Sequence, residues 1–332
     1  MKLYTDASGK FQMYIPLDWE YKNPSYYKTS SEDKPHAFGF YDKSIGAFQL
    51  SCHEVNQHIN NLITSREEPI QSSDSEKLVF NEQFIRSEMF HVYAFSCAVD
   101  DHYIFATYTV KPNAHFTEQI KIELQEVRNV LSSFKFIKEP FRQMVLVQRR
   151  FNLFMSAIAT IMDLKDKAVK KESYIEYIVF SANHIDALLR LSLILTNQLK
   201  DKNNNIEIAL LFQNESDKPI LERSIYQKCL DIGIISNSLF DRLEELYKER
   251  NKVIHRFIIT DIRTEDIFNL AFSYQNVIDE VESIILSLEE KQINQGFGVW
   301  GNNFNRKPDL DERQLLQSRI RDKHGRLPIK KD

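Results

Sequence analysis

An arginine, an asparagine and a histidine stand close together in the stretch 243–257, Leu-Glu-Glu-Leu-Tyr-Lys-Glu-Arg-Asn-Lys-Val-Ile-His-Arg-Phe. A guanidinium can clamp phosphoryl oxygens in bidentate fashion. An imidazole, with an unperturbed pKa of about 6.5, can give or take a proton near neutral pH. These are groups that phosphoryl chemistry can use without a metal. Their spacing says how they are held. Leu243, Leu246, Tyr247, Val253, Ile254 and Phe257 recur at three- and four-residue steps, which predicts an amphipathic helix with one buried face. Arg250 falls in phase with that face, while Asn251 and His255, four apart, share the neighbouring strip. An unpaired buried guanidinium is costly. Arg250 is therefore expected to meet an anion, either a carboxylate of this chain or a phosphate from outside. Five helical residues turn through roughly 500°, leaving Arg250 and His255 about 140° apart. One straight helix cannot easily aim both at one phosphate, whereas a groove between two copies can.

Arg250-Asn251-Lys252-Val253-Ile254-His255 resembles the Arg-polar-x-x-x-His motif of the HEPN superfamily, small helical-bundle domains many of which are metal-independent endoribonucleases of toxin and anti-phage systems. The resemblance implies that Arg250, Asn251 and His255 are catalytic and that RNA is the substrate. It also implies that a two-fold homodimer forms the composite site, with no metal and no cofactor. RNA carries its own nucleophile, the 2′-hydroxyl. One histidine of the dimer would serve as base, the other as acid, with Arg250 steadying the phosphate charge. An antitoxin or defence-system partner would accompany such an enzyme. Some HEPN-like domains act as binding or regulatory modules, so a non-catalytic interaction module is the alternative.

Other polar clusters carry less. Asn183, Asp186 and Arg190 line up at three- and four-residue steps in apolar surroundings. They read either as an intrahelical Asp186–Arg190 pair or as an Asp186 that faces Arg250 and holds it in place. His184 reads as a satisfied histidine one position off that strip. His53 and His58 lack the spacing of two ligands on one helix face. Asp100-Asp101-His102 reads as a turn. Cys52, Cys97 and Cys229 lie far apart with no Cys-x-x-Cys, so neither a zinc ribbon nor a disulfide framework is indicated. No Gly-rich phosphate loop and no Gly-x-Ser-x-Gly elbow occurs.

The elements that must position these residues follow from pattern and composition. With 332 residues, 8 glycines, 9 prolines and a net charge of −4, the chain reads as a soluble two-domain protein rich in regular structure. No global positive field is present to draw in nucleic acid, so any RNA contact must be local. The apolar run Leu153 to Met162 is too short to span a bilayer, so no membrane is expected and a reducing cytoplasm is the expected location.

Residues 1–138 predict an α+β domain, an antiparallel sheet with a closing helix. Strands are expected at 11–16, 36–42 and 45–52, the last two joined around Lys43-Ser44. Three more are expected at 78–85, 88–98 and 103–110, before a helix at 117–131. Phe11-x-Met-x-Ile-Pro-x-Asp-Trp19, with Val127-x-x-Val-Leu-Ser-Ser-Phe-Lys-Phe-Ile137, resembles bacterial domains of unknown function whose fold is similar to that of the photosystem assembly factor PsbP. That resemblance implies a fold and no activity.

Residues 140–292 predict an all-α antiparallel helical bundle. Helices are expected at 142–170, 173–200, 224–232 and 264–290, with another opening at Ser236-Asn-Ser238 and capped by Ser238. Residues 293–332 predict a flexible tail, basic from Arg306 onward, that reads as an RNA-contacting or partner-docking arm or as a solubilising segment packed by Trp300.

Overall fold

The computed structural model describes residues 1–22, 35–40, 45–114, 117–213, 216–301 and 312–324. The chain divides into two compact units, Met1–Leu146 and Val147–Asp332. A sheet-rich N-terminal region is followed by a helical C-terminal region.

The first unit runs β1 (Lys2–Thr5), β2 (Phe11–Ile15), β3 (Trp19–Tyr21), β4 (His36–Phe40), β5 (Ala47–Glu54), α1 (Gln57–Ser65), β6 (Ile70–Gln71), β7 (Asn81–Arg86), β8 (His91–Val99), β9 (His102–Val110), α2 (Glu118–Ser132) and β10 (Lys135–Phe136). The strands form two sheets. One has the order β1-β2-β10; the other has the order β3-β4-β5-β9-β8-β6, with β7 also on β8. Alternation sets the core face: Phe11, Met13 and Ile15 of β2 are buried while Gln12 and Tyr14 between them are not. Helix α2 closes this core with Ile120, Leu124, Val127, Val130 and Leu131, as its periodicity predicts. The buried Glu123 of α2 anchors the start of β5. It accepts from Tyr108 Oη at 2.7 Å and from the backbone N–H groups of Ile45 and Gly46 at 3.2 and 3.1 Å. Position 46 is glycine because a Cβ there would lie 2.3 Å from the Tyr108 ring.

Three expectations need correction. The larger sheet is not wholly antiparallel, since β6 pairs parallel with β8, Ile70 opposite Ala98. The strands expected from 78 and 88 begin at Asn81 and His91. Finally β1, β3, α1, β6 and β10 went unforeseen; β3, β6 and β10, at two or three residues, are too short to show a period. The Lys43-Ser44 turn lies outside the described residues, but β4 and β5, which flank it, pair antiparallel. His53 and His58 are exposed, and Asp100 adopts the left-handed turn conformation at φ 48°.

The second unit contains most of α3 (Glu139–Lys170), then α4 (Tyr174–Asp201), α5 (Ile208–Leu211), α6 (Glu222–Asp231), α7 (Asn237–Arg256), α8 (Thr264–Gln295), α9 (Gly298–Gly301) and α10 (Glu312–His324). Helix α4 is long and apolar enough to cross a membrane by composition, yet 72% of its most apolar window is buried inside the protein. It is the core helix of this unit, packed against α6, α7 and α8. Helix α7 is capped by Ser236, whose Oγ accepts from Leu239 N at 3.1 Å. The expected cap, Ser238, already lies inside the first turn.

Beyond residue 292 the chain is more ordered than its composition suggests. Helix α8 runs to Gln295 and ends at Gly296 in the left-handed conformation, φ 71°. The next residues are tied down by buried amides. Gly298 N donates to Asn204 Oδ1 at 2.7 Å, Val299 N to Gln198 Oε1 at 3.2 Å and Trp300 N to Gln292 Oε1 at 3.2 Å. Helix α10 carries Arg319, Arg321 and Lys323, buries Ser318, and brings His324 Nε2 to 3.1 Å from Asp163 of α3. The remaining tail basics, Arg306, Arg326, Lys330 and Lys331, lie outside the described residues.

Candidate functional site

Helix α7 holds the motif as a single regular element. Its apolar stripe buries Leu239, Leu243, Leu246 and Val253, with Tyr247 and Phe257 half-buried. Ile254, expected on that face, is 42% exposed, because it sits at the edge of the stripe. Arg250 is drawn into the stripe as its phase requires: its side chain is 13% exposed.

The anion that meets it is Glu222, the first residue of α6. Arg250 Nη1 donates to Glu222 Oε2 at 2.8 Å and to Oε1 at 3.1 Å. Glu222 also accepts from Tyr226 Oη, one turn along α6, and its place in the first turn suits the helix dipole. The Arg250 guanidinium lies over the Tyr247 ring, 4.8 Å from its centroid, and Nη2 reaches Asn251 Oδ1 at 3.4 Å. Arg223 Cζ is 5.6 Å from the same Tyr247 ring, and Arg223 pairs with Glu244 of α7. Burial works against the Arg250 charge. The charge and hydrogen bonds of Glu222 more than offset it, so the group is more basic than usual. Tyr226 and Tyr274 are pushed well above the ordinary phenol range, chiefly by burial, and stay neutral donors. Tyr274 Oη donates to Leu246 O at 3.1 Å.

His255 lies on the far strip of α7 and is exposed. Among the described residues no hydrogen bond or ion pair engages its ring. Asn251, one turn earlier, is half-buried. The structure thus joins Arg250 to Asn251 directly and leaves His255 on Asn251's side of the helix, open to solvent. The guanidinium reaches over Tyr247 toward Asn251, which narrows the angular gap to His255 without closing it. What the arrangement offers is a basic, oriented guanidinium with spare donors and, separately on the same helix, an accessible imidazole.

Asp186 does not hold Arg250, so the sharper reading of α4 is corrected. Asp186 Oδ2 accepts from Arg190 Nε at 2.7 Å, the intrahelical pair. Arg190 spends its other nitrogens on backbone: Nη1 donates to Leu210 O at 3.3 Å and Nη2 to Ile220 O at 3.0 Å. It staples the segment between α5 and α6 to α4. The Asp186 carboxyl is raised above the usual carboxylate range, chiefly by burial, and the charges of both Glu222 and Arg250 reach it. His184 is 1% exposed, with Nδ1 3.5 Å from the buried Lys165 Nζ. Burial and that ammonium depress its pKa to about 4.

Glu222 is the residue that sequence reasoning missed. It stands 28 positions before Arg250, and only the packing of α6 on α7 brings the two together. Its one sequence signal is an acid in the first turn of a helix.

No family model matches the chain, and no curated protein matches it. A crystal structure of a protein from Bacteroides thetaiotaomicron VPI-5482 aligns over 55% of this chain and 76% of its own, at 11% identity and a TM-score of 0.29, a likeness that carries no argument about fold or function.

Proposed function

We propose that the second unit is an antiparallel helical bundle of the HEPN type and that the chain is a metal-independent endoribonuclease acting through a homodimer. The reading rests on one observation: Arg250 is largely buried and oriented toward Asn251, while His255, one turn beyond Asn251, is exposed and has no hydrogen bond or ion pair among the described residues. Arg250 Nη2 makes only a long bond to Asn251, so the guanidinium keeps donors for a phosphoryl oxygen. The 2′-hydroxyl of RNA attacks the neighbouring phosphorus as one His255 removes its proton. The partner's His255 protonates the departing 5′-oxygen, giving a 2′,3′-cyclic phosphate and a 5′-hydroxyl. Two copies are needed because Arg250 and His255 lie about 140° apart on one helix. The dimer seam falls on α7 and α3. A toxin or anti-phage effector working in a reducing cytoplasm, neutralised by an antitoxin or held by a defence partner, fits such an activity.

The second reading is a non-catalytic HEPN-like interaction or regulatory module. The Glu222 salt bridge favours it, since an arginine already neutralised inside its own chain needs no phosphate.

One experiment separates them. Wild-type and His255→Ala proteins are compared for RNA cleavage in EDTA, with product ends analysed. The enzyme reading expects cyclic-phosphate products from the wild type alone. Mixing Arg250→Ala with His255→Ala chains should restore little activity. Full cleavage by His255→Ala, or an absolute need for a divalent ion, would refute the mechanism; an inactive wild type leaves the module.

A further inference from the structure

Arg250 already has an anion, and that anion belongs to the chain itself. Glu222 Oε2 and Oε1 accept from Arg250 Nη1 at 2.8 and 3.1 Å. The rest of the guanidinium is lightly engaged. Nη2 reaches only Asn251 Oδ1, at 3.4 Å, and Nε has no acceptor among the described residues. The Arg250 and Glu222 side chains are 13% and 18% exposed, so the pair lies at the margin of the packing and meets solvent.

This pair is not what holds α6 to α7. Ile225, Tyr226 and Cys229 of α6 share one apolar core with Leu239, Leu243 and Leu246 of α7. Beside Glu222, Arg223 makes a second tie between the two helices, its Nε donating to Glu244 Oε1 at 2.7 Å. Arg190 binds two backbone carbonyls, whereas Arg250 binds none among the described residues. Nor is Glu222 stranded if Arg250 turns to another anion. Tyr226 Oη donates to its carboxylate from within α6. As the first residue of that helix, Glu222 also lies where the helix dipole favours negative charge. A carboxylate that lost its only partner inside a protein would be costly; this one keeps a donor and a favourable field.

We propose that Glu222 is an internal competitor for the substrate phosphate: its carboxylate occupies Arg250 at rest, and an incoming phosphoryl group takes its place. The inference rests on Arg250 being the phosphate clamp of the ribonuclease reading, and it names what restrains that site. To a guanidinium the two anions are chemically alike, since carboxylate and phosphate both offer oxygens to its N–H groups. With Glu222 in place the Arg250 charge is already balanced. An arriving phosphate meets a carboxylate of like sign beside the cation it seeks, and partial burial strengthens that repulsion. Removing the carboxylate charge therefore opens the site, which is the reverse of what removing a structural tie does.

Calorimetric titration of the full-length protein with inorganic phosphate tests this. Glu222→Gln keeps the size of the side chain and removes its charge. It should bind phosphate about tenfold or more tightly than the wild type. Adding Arg250→Ala should erase that gain, because the phosphate sits on Arg250. In EDTA, the kcat/KM for RNA cleavage should rise several-fold in Glu222→Gln. If neither protein cleaves RNA while phosphate binding follows this order, the ribonuclease reading falls and the competitor stands. If Glu222→Gln does not fold, Glu222→Asp, whose carboxylate is drawn back by one methylene, should show a smaller gain of the same sign. Phosphate bound no more tightly in these variants, a gain that survives Arg250→Ala, or cleavage that falls in Glu222→Gln would overturn the proposal and leave Glu222 as a structural tie.

Discussion

Helix α4 carries His184, Asp186 and Arg190; helix α7 carries Arg250, Asn251 and His255. The residue types are nearly the same, and both sets sit at helical spacing, yet the structure uses them in opposite ways. On α4 every nitrogen of Arg190 is occupied, two of them by backbone carbonyls, and His184 is sealed against Lys165. On α7 the arginine is held chiefly by Nη1, with one long bond from Nη2, and the histidine is open to solvent. A guanidinium bonded at all three nitrogens is a staple. One that keeps Nε and most of Nη2 unspent, on the helix that also carries an exposed imidazole, has donors left for an anion under the proposed reading. What separates the two sets is how many hydrogen bonds remain unspent, which residue types alone do not reveal.

Substitutions can break this comparison. The largest effect is expected on activity. His255→Ala should lower RNA cleavage by about 10²–10⁴-fold, the usual worth of a general acid or base, while leaving the melting temperature unchanged because the ring is exposed. Arg250→Ala should be as inactive, and equally normal cleavage by both variants would erase the distinction.

Next comes stability. Arg190→Met frees two backbone carbonyls and leaves Asp186 unpaired in a buried place, so unfolding free energy should fall by about 3–5 kcal/mol. Urea denaturation measures it. A loss below about 1 kcal/mol would mean that Arg190 is no staple.

The third concerns pH and His184. Its folded pKa is depressed from 6.5 to about 4. The stability this represents is fully present above pH 6.5 and is lost as the pH falls through 4, because the unfolded chain binds the proton first. At about 1.4 kcal/mol per unit, the loss approaches about 3 kcal/mol. The charged groups that reach Lys165, the neighbour of His184, are Glu282, Asp166 and Asp279. His184→Leu should flatten the stability profile between pH 6.5 and 4. An unchanged slope in His184→Leu would contradict the burial of this ring.

The smallest effect is expected from Asn251→Ala. Its only bond to Arg250 is 3.4 Å long, so cleavage should drop by about tenfold or less, with stability changed by under about 0.5 kcal/mol. A loss as large as that of His255→Ala would give Asn251 a direct role in proton transfer.

Periodicity alone determined a good deal. The alternation of Phe11, Met13 and Ile15 gave β2 its buried face, and the three- and four-residue steps of α2 and α7 gave theirs. Arg250's phase on α7 was enough to require an anion, because burying a bare guanidinium is too costly to tolerate. Local rules also gave a strand-rich N-terminal region followed by a helix-rich C-terminal one. They failed where a segment was too short to show a period, as with β6, or where order comes from distant partners. Gly298 to Trp300 look flexible in sequence, and they are held by Gln198, Asn204 and Gln292 from other elements. The anion for Arg250 is the clearest instance. Asp186 and Glu222 were both carboxylates on neighbouring helices. Only the packing of α6 on α7 set Glu222 within 2.8 Å, while Arg190, four residues along the same helix, had already claimed Asp186. Which charges pair depends on the rotation of one helix against another. The side chains of the whole core set that rotation together, and no single stretch of sequence encodes it.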